Sequence, residues 1–392
     1  MSPMLDHRLD PELVDLKETV ARFAREVIAP VIGDYYERGA FPYDIVRQMG
    51  ELGLFGLPFP ERYGGMGGDL LGFALVLEEI GRVDSSVAVT LEAAVSLGAM
   101  PIYRFGTEAQ REAWLPRLCS GEALGAFGLT EPGGGTDAGA TRTTARLVDG
   151  QWVLNGSKSF ITNSGTDITA FVTVTAVTGG EDGEREISAI VVPAGTPGLT
   201  VAKEYSKVGW CASDTHELSL ADCRVPAENL LGERGRGYAQ FLEILDEGRI
   251  ALAAMSVGLA QGCIDECLRY VAERRAFGRA IGEYQAIQFK IADMEARAHT
   301  ARLAYLDAVS RRLRGEPYKK HAAIAKLVAS DAAMANAREA TQIFGGYGFM
   351  NESPVGRFYR DAKVLEIGEG TSEVQRMLIA RALGLGGARR ER

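Results

Sequence analysis

The sequence predicts a multi-domain α+β protein with an all-α N-terminal domain, a middle β-barrel or sandwich, and a C-terminal four-helix bundle. Three observations lead to this fold class. Apolar residues recur with a helical period at the start of the chain, the period changes to that of strands in the middle, and three long helical stretches follow. We place the domains at residues 1–125, 126–236 and 237–392.

The N-terminal domain is predicted to be helical because its apolar residues lie three and four positions apart. Segments 70–80 and 87–105 are apolar with few charges and are predicted to be buried helices. The first helix is closed by Pro30. Its apolar residues are Leu13, Leu16, Val20, Phe23, Ala24 and Val27.

The middle domain is predicted to consist of strands. Side chains alternate across residues 144–148, and Asp149-Gly150 then predicts a hairpin turn. Asn155-Gly156 is a second strong turn signal. Further β-rich runs at 168–177, 186–192 and 216–220 have the spacing of a sandwich or barrel.

The C-terminal domain contains three long helical stretches, 238–275, 284–313 and 319–344. Each would be about 40 Å or longer at the rise of an α-helix. Charged residues occur throughout them, which suits an antiparallel bundle in water.

Composition excludes several classes of function. The 392 residues are 46% hydrophobic and 24% charged, as in soluble globular proteins, and the net charge of −9 disfavours nucleic acid as the main partner. No apolar run reaches the roughly 20 residues of a membrane span, so membrane insertion is not expected. The acidic N-terminus, with Asp6, Asp10 and Glu12, is unlike a signal or transit peptide.

Cysteine and histidine usage points to a cytoplasmic protein without a catalytic metal. The five cysteines are odd in number and scattered, which fits a reducing compartment. Cys263 and Cys267 lie one helical turn apart and are expected to fill the core. The four histidines, His7, His216, His299 and His321, form no metal-binding spacing.

One carboxylate near the C-terminus, Glu369, stands between Gly368 and Gly370. With no neighbouring side chains to crowd it, it could be presented into a cavity as a general base. The alternative is an ordinary glycine-rich helix terminus, in which Glu373 and Arg376 pair one turn apart. The motif alone favours the second interpretation.

A glycine-rich loop in the middle of the chain is a candidate phosphate site. Gly133, Gly135 and Ala138 match the pattern G-x-G-x-x-A, but strand-like sequence follows where a dinucleotide-binding fold needs a helix. The loop could still offer backbone N–H groups to a pyrophosphate, with Thr130 and Thr136 as hydroxyl donors. A plain tight loop is equally compatible with the pattern.

Three further segments are compatible with both structural and binding roles. Phe160 and Thr162 would share one face of a strand, where the ring could pack on a planar cofactor or simply on the core. Arg274 and Arg275 end a long helix and could bind phosphate or be solvated. Residues 342–349 contain three glycines, which either stop a helix or allow close approach of a ligand or partner chain.

Together these segments resemble the acyl-CoA dehydrogenase family, in order and over nearly the whole chain. The family fold has the same α, β, α-bundle order. The motifs that carry the resemblance are Tyr103 to Glu122, Thr130-Glu131-Pro132-Gly133 to Asp137, Phe160-Ile161-Thr162-Asn163, Arg274 to Gly278, Gln342 to Gly346 and Glu369-Gly370-Thr371-Ser372.

The resemblance implies a non-covalently bound FAD and a homotetramer. The residues implied to contact the FAD of their own subunit are Phe127, Leu129, Thr130, Gly135, Thr136, Phe160, Ile161, Thr162, Thr371 and Glu373. Those implied to reach the FAD of a neighbouring subunit are Arg274, Phe277, Gln285, Gln342, Ile343, Gly345 and Gly346.

The resemblance also implies oxidation of an acyl-CoA thioester to the trans-2-enoyl-CoA. Glu369 would take the pro-R α-proton while the β-hydrogen leaves as hydride to flavin N5, and the electrons would pass to an electron-transfer flavoprotein. Arg249 matches a family arginine near the base and substrate. The residues implied to contact the substrate are Thr136, Asp246, Arg249, Gly368 and Gly370.

Three details of the chain narrow the substrate and the base. Some family members carry the base at the position of Gly248, so glycine there leaves Glu369 as the candidate. Many straight-chain enzymes have tyrosine where this chain has Gly368, which predicts room for branched or bulky acyl groups. Glutaryl-type members of the family use a pocket arginine on the helix that matches segment 83–103. This segment contains no Arg or Lys, so the resemblance disfavours decarboxylation of a dicarboxylic acyl-CoA.

Two alternatives remain at this point. Oxidases and monooxygenases of the same superfamily pass electrons to oxygen, but many of them lack a glutamate at the position of Glu369. A DNA-associated flavin-containing member would need a basic C-terminal domain. Here only Arg389, Arg390 and Arg392 form a short basic tail in a chain of net charge −9.

Overall fold

The fold is that of a computed structural model, described here for residues 9–180 and 185–385. Asp6, His7 and the basic tail at Arg389, Arg390 and Arg392 lie outside these ranges. The fold class predicted from the sequence is confirmed: helical N- and C-terminal parts flank a central sheet in chain order.

The N-terminal helices precede the sheet. They are α1 (Pro11–Phe23), α2 (Ile32–Arg38), α3 (Tyr43–Glu51), α4 (Leu70–Gly81), α5 (Ser85–Glu92), α6 (Met100–Phe105) and α7 (Glu108–Cys119). π-Helical turns at Ala24–Ile28 and Ala93–Ala99 extend α1 and join α5 to α6. The C-terminal helices are α8 (Gly237–Glu273), α9 (Gln285–Leu313), α10 (Lys319–Phe344), α11 (Pro354–Leu365) and α12 (Ser372–Ala382). The three long helices therefore match their predicted ranges to within about two residues.

The central part is one eight-stranded mixed sheet. Its strands are β1 (Leu124–Gly128), β2 (Thr144–Val148), β3 (Gln151–Thr162), β4 (Thr169–Gly179), β5 (Glu186–Pro193), β6 (Leu199–Val201), β7 (Thr215–Pro226) and β8 (Leu230–Leu231). The order is β6-β7-β3-β2-β4-β5-β8, and β1 pairs in parallel with β4. Side chains from six of these strands bury one common core, so the sheet curls around it.

The predicted turn at Asn155-Gly156 is wrong, because both residues lie inside β3. The pairing of β3 with β7 shifts register between Leu154 and Gly156, so the turn signal marks an irregularity in the ladder. A Cβ on Gly156 would lie 2.5 Å from the hydroxyl oxygen of Thr143, which explains the glycine. The predicted turn at Asp149-Gly150 is confirmed, since it joins β2 to β3 with positive φ at both residues.

The contacts of the chain divide it into two compact units. The first comprises the described parts of Met1–Arg25, Ala74–Ser85 and Arg249–Arg392. In it α10 packs against α9, α11 and α12. The carboxylate of Glu78 on α4 binds Arg302 on α9, with Nε and Oε1 2.8 Å apart. Both side chains are buried, so this charge pair joins a helix early in the chain to the C-terminal helices.

The second unit comprises Glu26–Phe73 and the described parts of Ser86–Gly248. Its helical turn Ala93–Ala99 packs on β1 through glycines. A Cβ on Gly98 would lie 2.5 Å from the carbonyl oxygen of Gly125, so no larger residue fits there without movement. This close approach sets the position of the loop that follows β1.

Two helical stretches, Ser85–Phe105 and Gly237–Glu273, are long and apolar enough to cross a membrane by length and composition. The expectation that no apolar run reaches that length is therefore wrong. However, 83% and 89% of their apolar windows are buried within the protein. Such burial is typical of core helices in soluble folds.

Candidate active site

The loop after β1, predicted to bind a pyrophosphate, is anchored by the buried carboxylate of Glu131. Glu131 Oε1 accepts hydrogen bonds from the backbone N–H of Thr143 at 3.0 Å and from its hydroxyl at 2.7 Å. The Thr141 hydroxyl donates to the same oxygen, and the N–H of Arg142 donates to Oε2 at 2.6 Å. The start of the loop is thereby tied to the chain that enters β2.

Lys158 on β3 supplies the counter-charge. Its side chain is fully buried, and Nζ lies 2.8 Å from Glu131 Oε1. The ammonium also donates to the hydroxyls of Thr141 and Thr175 at 3.1 and 3.2 Å, and to the Leu129 carbonyl at 3.4 Å. A buried charge pair is stable only when its remaining hydrogen-bonding capacity is satisfied, and this one meets that condition.

Burial and hydrogen bonding have opposite effects on the pKa values of this pair. Burial would raise the pKa of the Glu131 carboxyl, but hydrogen bonds from Lys158, Thr141 and Thr143 outweigh it and lower the pKa to about 2. Burial lowers the pKa of the Lys158 amine to about 8, although the hydrogen bond that the amine donates to Glu131 opposes this shift. Glu131 is therefore ionised at neutral pH.

The structure brings two of the predicted cofactor segments together. The backbone N–H of Ser159 donates to the carbonyl of Thr130 at 2.9 Å, which joins the loop to β3 beside Phe160. Phe160 has a φ of 60° and is 65% exposed. A positive φ is rare for an aromatic residue and marks a constrained site. The large exposed ring is available to a planar ligand.

A bulge produces this orientation. The pairing of β3 with β7 shifts by one residue between Lys158 and Ile161, so Phe160 leaves the regular alternation. The Ile161 side chain is only 2% exposed and belongs to the sheet core. Of the predicted cofactor contacts, Ile161 could therefore reach a ligand only through its backbone.

The rest of the loop is open to an approaching ligand. Gly135 and Thr136 are exposed, and a Cβ on Gly133 would meet no atom within 4 Å. Packing within the unit therefore does not explain the glycine at 133. Close approach of a phosphate group to the backbone would explain it, because a side chain at this position would stand in the way. Leu129 is 9% exposed, and Phe127 stacks on Phe241 with ring centroids 3.8 Å apart. Their contact with a dinucleotide stays a prediction.

Glu369 lies in the turn between α11 and α12. Its φ is 51°, and that of Gly370 is 93°. Both Glu369 and Gly370 are therefore left-handed. The flanking glycines did not predict a left-handed conformation for the glutamate itself. A bulky residue in this conformation costs about 1–2 kcal/mol, so it persists only where surrounding contacts impose it.

Two buried side chains hold this turn by its carbonyl groups. Lys326 Nζ on α10 donates to the Gly370 carbonyl at 2.9 Å, and Gln375 Nε2 on α12 donates to the same oxygen at 2.8 Å. Gln375 Nε2 also contacts the Glu369 carbonyl at 3.4 Å. Thr371 caps α12, since its hydroxyl oxygen accepts from the Val374 N–H at 3.3 Å.

The remaining predicted substrate residues lie on α8 and in the turn. Asp246 and Arg249 are buried, and both stand on the continuous helix Gly237–Glu273. A Cβ on Gly368 would come no closer than 3.5 Å to the nearest atom, the Val364 carbonyl oxygen. The fold therefore does not require glycine at 368. Glu373 is exposed, and its ion pair with Arg376, at 4.0 Å, is loose.

A third group of predicted residues forms an exposed surface of the first unit. Phe277 is 98% exposed with a φ of 51°, in a short hairpin (β9, Arg275–Ala276; β10, Arg279–Ala280). A cleft of about 580 Å³ lies nearby. Its lining residues are Tyr270, Arg274, Ile281, Ile343, Phe344, Gly345, Gly346, Tyr347 and Met350. Gln285 and Gln342 are exposed but do not line the cleft.

Sequence reasoning assigned no role to Lys158, Lys326 or Gln375. A signal exists for each lysine. Lys158 continues the inward-facing positions of β3 that include Trp152 and Leu154, and Lys326 lies among buried alanines of α10. A charge at a position with apolar periodicity indicates a buried, partnered group. Among the described residues, no group of three or more His, Cys, Asp or Glu side chains could hold a metal ion.

Comparison with known proteins gives the family. Family models match residues 10–122 (acyl-CoA dehydrogenase, N-terminal domain), 126–223 (middle domain) and 235–384 (C-terminal domain). Probable acyl-CoA dehydrogenase YngJ of Bacillus subtilis is 49% identical over 97% of this chain and 100% of its own.

Two solved structures superimpose closely. Butyryl-CoA dehydrogenase from Megasphaera elsdenii has a TM-score of 0.92 at 42% identity, over 96% of this chain and 99% of its own. A glutaryl-CoA dehydrogenase from Mycobacterium smegmatis in complex with FADH2 has a TM-score of 0.92 at 31% identity, over 98% and 97%. With three domain models in register and near-complete relatives above 40% identity, this chain belongs to the acyl-CoA dehydrogenase family.

Proposed function

We propose that this enzyme oxidises an acyl-CoA thioester to the trans-2-enoyl-CoA, with Glu369 as the base that removes the α-proton. The observation that carries the proposal is the conformation of Glu369, which is held at a φ of 51° by a turn anchored on two buried side chains. Strain of this kind is retained where function needs a side chain in one place.

Non-covalently bound FAD is the proposed cofactor. The exposed Phe160 ring, the Thr136 hydroxyl and the open backbone at Gly133 and Gly135 are the groups that would hold it. When bound, FAD supplies the two-electron acceptor for the oxidation. The buried Glu131–Lys158 pair keeps the binding loop in place before the cofactor arrives.

The roles of the protein groups follow from the chemistry of a thioester. Its α-proton is only weakly acidic, so the carbonyl must be polarised and a base must be held against the α-carbon. Glu369 provides the carboxylate, and its backbone N–H would donate to the thioester carbonyl. Arg249 and Asp246, buried on α8, are the charged groups proposed to line the acyl end.

The proposed substrate is a short acyl-CoA, including branched forms. The Megasphaera relative is a butyryl-CoA dehydrogenase, which supports a short chain. Gly368 supports branching, because the local fold leaves space where a Cβ would stand. A bulkier residue there would occupy room that a substituent on the acyl chain could use.

A cytoplasmic homotetramer that passes electrons to an electron-transfer flavoprotein is also proposed. Phe277, 98% exposed at a constrained φ, and the exposed Gly345-Gly346 turn support contact with a second copy of the chain. A Cβ on Gly346 would meet no atom within 4 Å, so this glycine has no explanation in its own unit. Sedimentation equilibrium of the flavin-containing protein measures the oligomeric state.

The central test is anaerobic titration of the purified yellow protein with butyryl-CoA and branched analogues, followed by loss of flavin absorbance. We expect E369Q to bind the thioester but to reduce flavin roughly 10²–10⁴-fold more slowly. E352Q, at an exposed glutamate just before α11, is the control and should bleach normally. Bleaching by E369Q at the wild-type rate would contradict the proposal, and rapid peroxide release in air would favour an oxidase.

A further inference from the structure

Lys326 holds the turn that carries Glu369, and the proposed function gives this lysine no role. We propose that Lys326 is a positioning residue for Glu369, holding the turn by the Gly370 carbonyl and keeping the Glu369 carboxylate ionised. The inference rests on the proposed role of Glu369 as the base. It assigns the charge that acts on that base to a residue 43 positions earlier in the chain.

The first support is the geometry of the anchor. Lys326 is 1% exposed, and its Nζ lies 2.9 Å from the Gly370 carbonyl oxygen. The fully buried Gln375 donates to the same oxygen at 2.8 Å. One carbonyl thus accepts from two buried donors, a charged one on α10 and a neutral one on α12.

The second support is the backbone conformation that these donors hold. Glu369 and Gly370 are consecutive left-handed residues, and a glutamate in that region does not stay there unaided. Hydrogen bonds to the Gly370 carbonyl restrain the peptide groups on either side of Gly370. They therefore restrain the direction of the Cα–Cβ bond of Glu369.

The third support is the charge of the lysine. Burial lowers the pKa of the Lys326 amine to about 8, and Glu369 is the strongest of the charged groups that oppose this shift. Electrostatic interaction between two groups is mutual, so the ammonium stabilises the Glu369 carboxylate to the same extent. At neutral pH the amine is mostly protonated and exerts this effect.

Other charges surround the pair. Asp331 on α10 and Glu366 in the turn also raise the pKa of Lys326, and Arg249 on α8 lowers it. From α12, Arg376 approaches Asp331 at 3.6 Å and pairs with Glu373 more loosely. Both of these α12 side chains are more than half exposed, so solvent screens them more than it screens the buried Lys326.

Burial of the Lys326 ammonium costs free energy and therefore needs an explanation. An ammonium removed from water loses hydration that one carbonyl does not replace, and a neutral donor such as Gln375 would hold the carbonyl without that loss. A positive charge beside a proton-abstracting carboxylate has a use that anchoring alone does not. It favours the deprotonated form of the base.

The test compares K326M with Q375M. K326M removes the anchor and the charge, whereas Q375M removes only a neutral anchor. The rate of anaerobic flavin reduction by butyryl-CoA is measured against pH in stopped flow. We expect both variants to lower the maximal rate, and only K326M to move the acid limb, upward by roughly one pH unit.

A second readout does not depend on flavin reduction. A 3-thiaacyl-CoA has sulfur at the β-position and cannot be oxidised there, but its α-protons can exchange with deuterium when a base removes them. Exchange in D2O, followed by mass spectrometry against pH, should show the same displaced acid limb in K326M and not in Q375M. Circular dichroism and flavin content check that each variant is folded.

The outcomes separate this inference from the proposed function. If the wild type neither bleaches nor catalyses exchange, the role of Glu369 fails. If it does both and the acid limb of K326M coincides with the wild-type limb, the role of Lys326 is overturned. Should K326M not accumulate as a folded protein, K326Q removes the charge while retaining a donor, and the same displaced limb is expected.

Discussion

Lys158 and Glu131 form a buried ion pair, with Nζ and Oε1 2.8 Å apart, that ties strand β3 to the loop after β1. The two residues are 27 positions apart. Six hydroxyl or backbone groups make further hydrogen bonds to the pair. The loop proposed to hold the FAD pyrophosphate is therefore fixed from the inside of the sheet and not by its own glycines.

The first prediction concerns the cost of breaking this pair. E131Q or K158M alone should lower the free energy of unfolding by about 3–5 kcal/mol, because each leaves one buried charge or one set of polar groups without its partner. The double variant E131Q/K158M should lose much less than the sum. Urea denaturation of the four proteins measures the coupling.

An exposed pair on α3 provides the control. Arg47 and Glu51 form an ion pair at 3.1 Å, but both side chains are more than 60% exposed. E51Q should change the free energy of unfolding little, because solvent already screens such a pair. Additive losses in the E131Q/K158M cycle, or equal losses in E131Q and E51Q, would contradict a structural role for the buried pair.

The second prediction concerns pH. Hydrogen bonds lower the pKa of Glu131 to about 2, below the value of about 4.3 for an unfolded glutamate. A group with a lowered folded pKa stabilises the fold above the unfolded pKa, and this stabilisation disappears as the pH falls through the folded pKa. The difference in unfolding free energy between wild type and E131Q should therefore be largest near pH 7.

Between pH ~5 and ~2 that difference should narrow steadily, as the carboxylate is titrated in both states. Urea denaturation at intervals across this range measures it. A difference that stays constant down to pH ~3 would show that Glu131 acts through shape or hydrogen bonding alone and not through its charge.

Much of this architecture was readable from the sequence because it depends on local periodicity. The long helices were predicted at 238–275, 284–313 and 319–344 and are found at Gly237–Glu273, Gln285–Leu313 and Lys319–Phe344. The hairpin turn at Asp149-Gly150 was readable for the same reason, since the required positive φ is a property of those two residues.

The features that were not predicted depend on residues distant in sequence. Asn155-Gly156 has turn chemistry, but pairing with β7 keeps it inside a strand. The left-handed Glu369 lies in a turn that accepts hydrogen bonds from Lys326 and Gln375, and no local pattern predicts this conformation for a glutamate. Glu78 pairs with Arg302 across 224 positions, which chain order could not reveal.

The third prediction concerns strain at the base. Replacing Glu369 with glycine removes the penalty of a left-handed side chain, about 1–2 kcal/mol, and adds back a smaller cost in backbone entropy. E369G should therefore be at least as stable as E369A, which loses the same interaction with Lys326 but keeps a left-handed side chain, while flavin reduction is lost in both. Thermal and urea denaturation, with the bleaching assay, measure the two properties separately.

Glu366, at the end of α11, is the matched control for E369G. Its φ is −78°, a right-handed conformation that glycine does not favour. E366G should lose up to about 1 kcal/mol of stability. A larger loss of stability in E369G than in E366G would mean that the Glu369 side chain contributes contacts that outweigh its backbone strain.

The last prediction concerns Gly368 and Gly370, the two glycines beside the base. The fold requires glycine at 370 but not at 368. A Cβ on Gly370 would stand 2.9 Å from Gln375 Nε2 at a φ of 93°, so G370A should be destabilised. A Cβ on Gly368 would meet nothing closer than 3.5 Å, at an ordinary φ, so G368A should fold normally.

Because glycine at 368 is not required by the fold, its effect should appear in the substrate. G368Y should retain activity on straight-chain butyryl-CoA and lose activity on isobutyryl- and 2-methylbutyryl-CoA, since the ring would fill the space beside the reacting carbons. The ratio of kcat/KM for branched to straight substrates should fall roughly 10-fold or more, as expected when a pocket loses room for a methyl group. An unchanged ratio in a folded, flavin-containing G368Y would place the determinant of acyl shape elsewhere, with Asp246 and Arg249 on α8 as the next residues to vary.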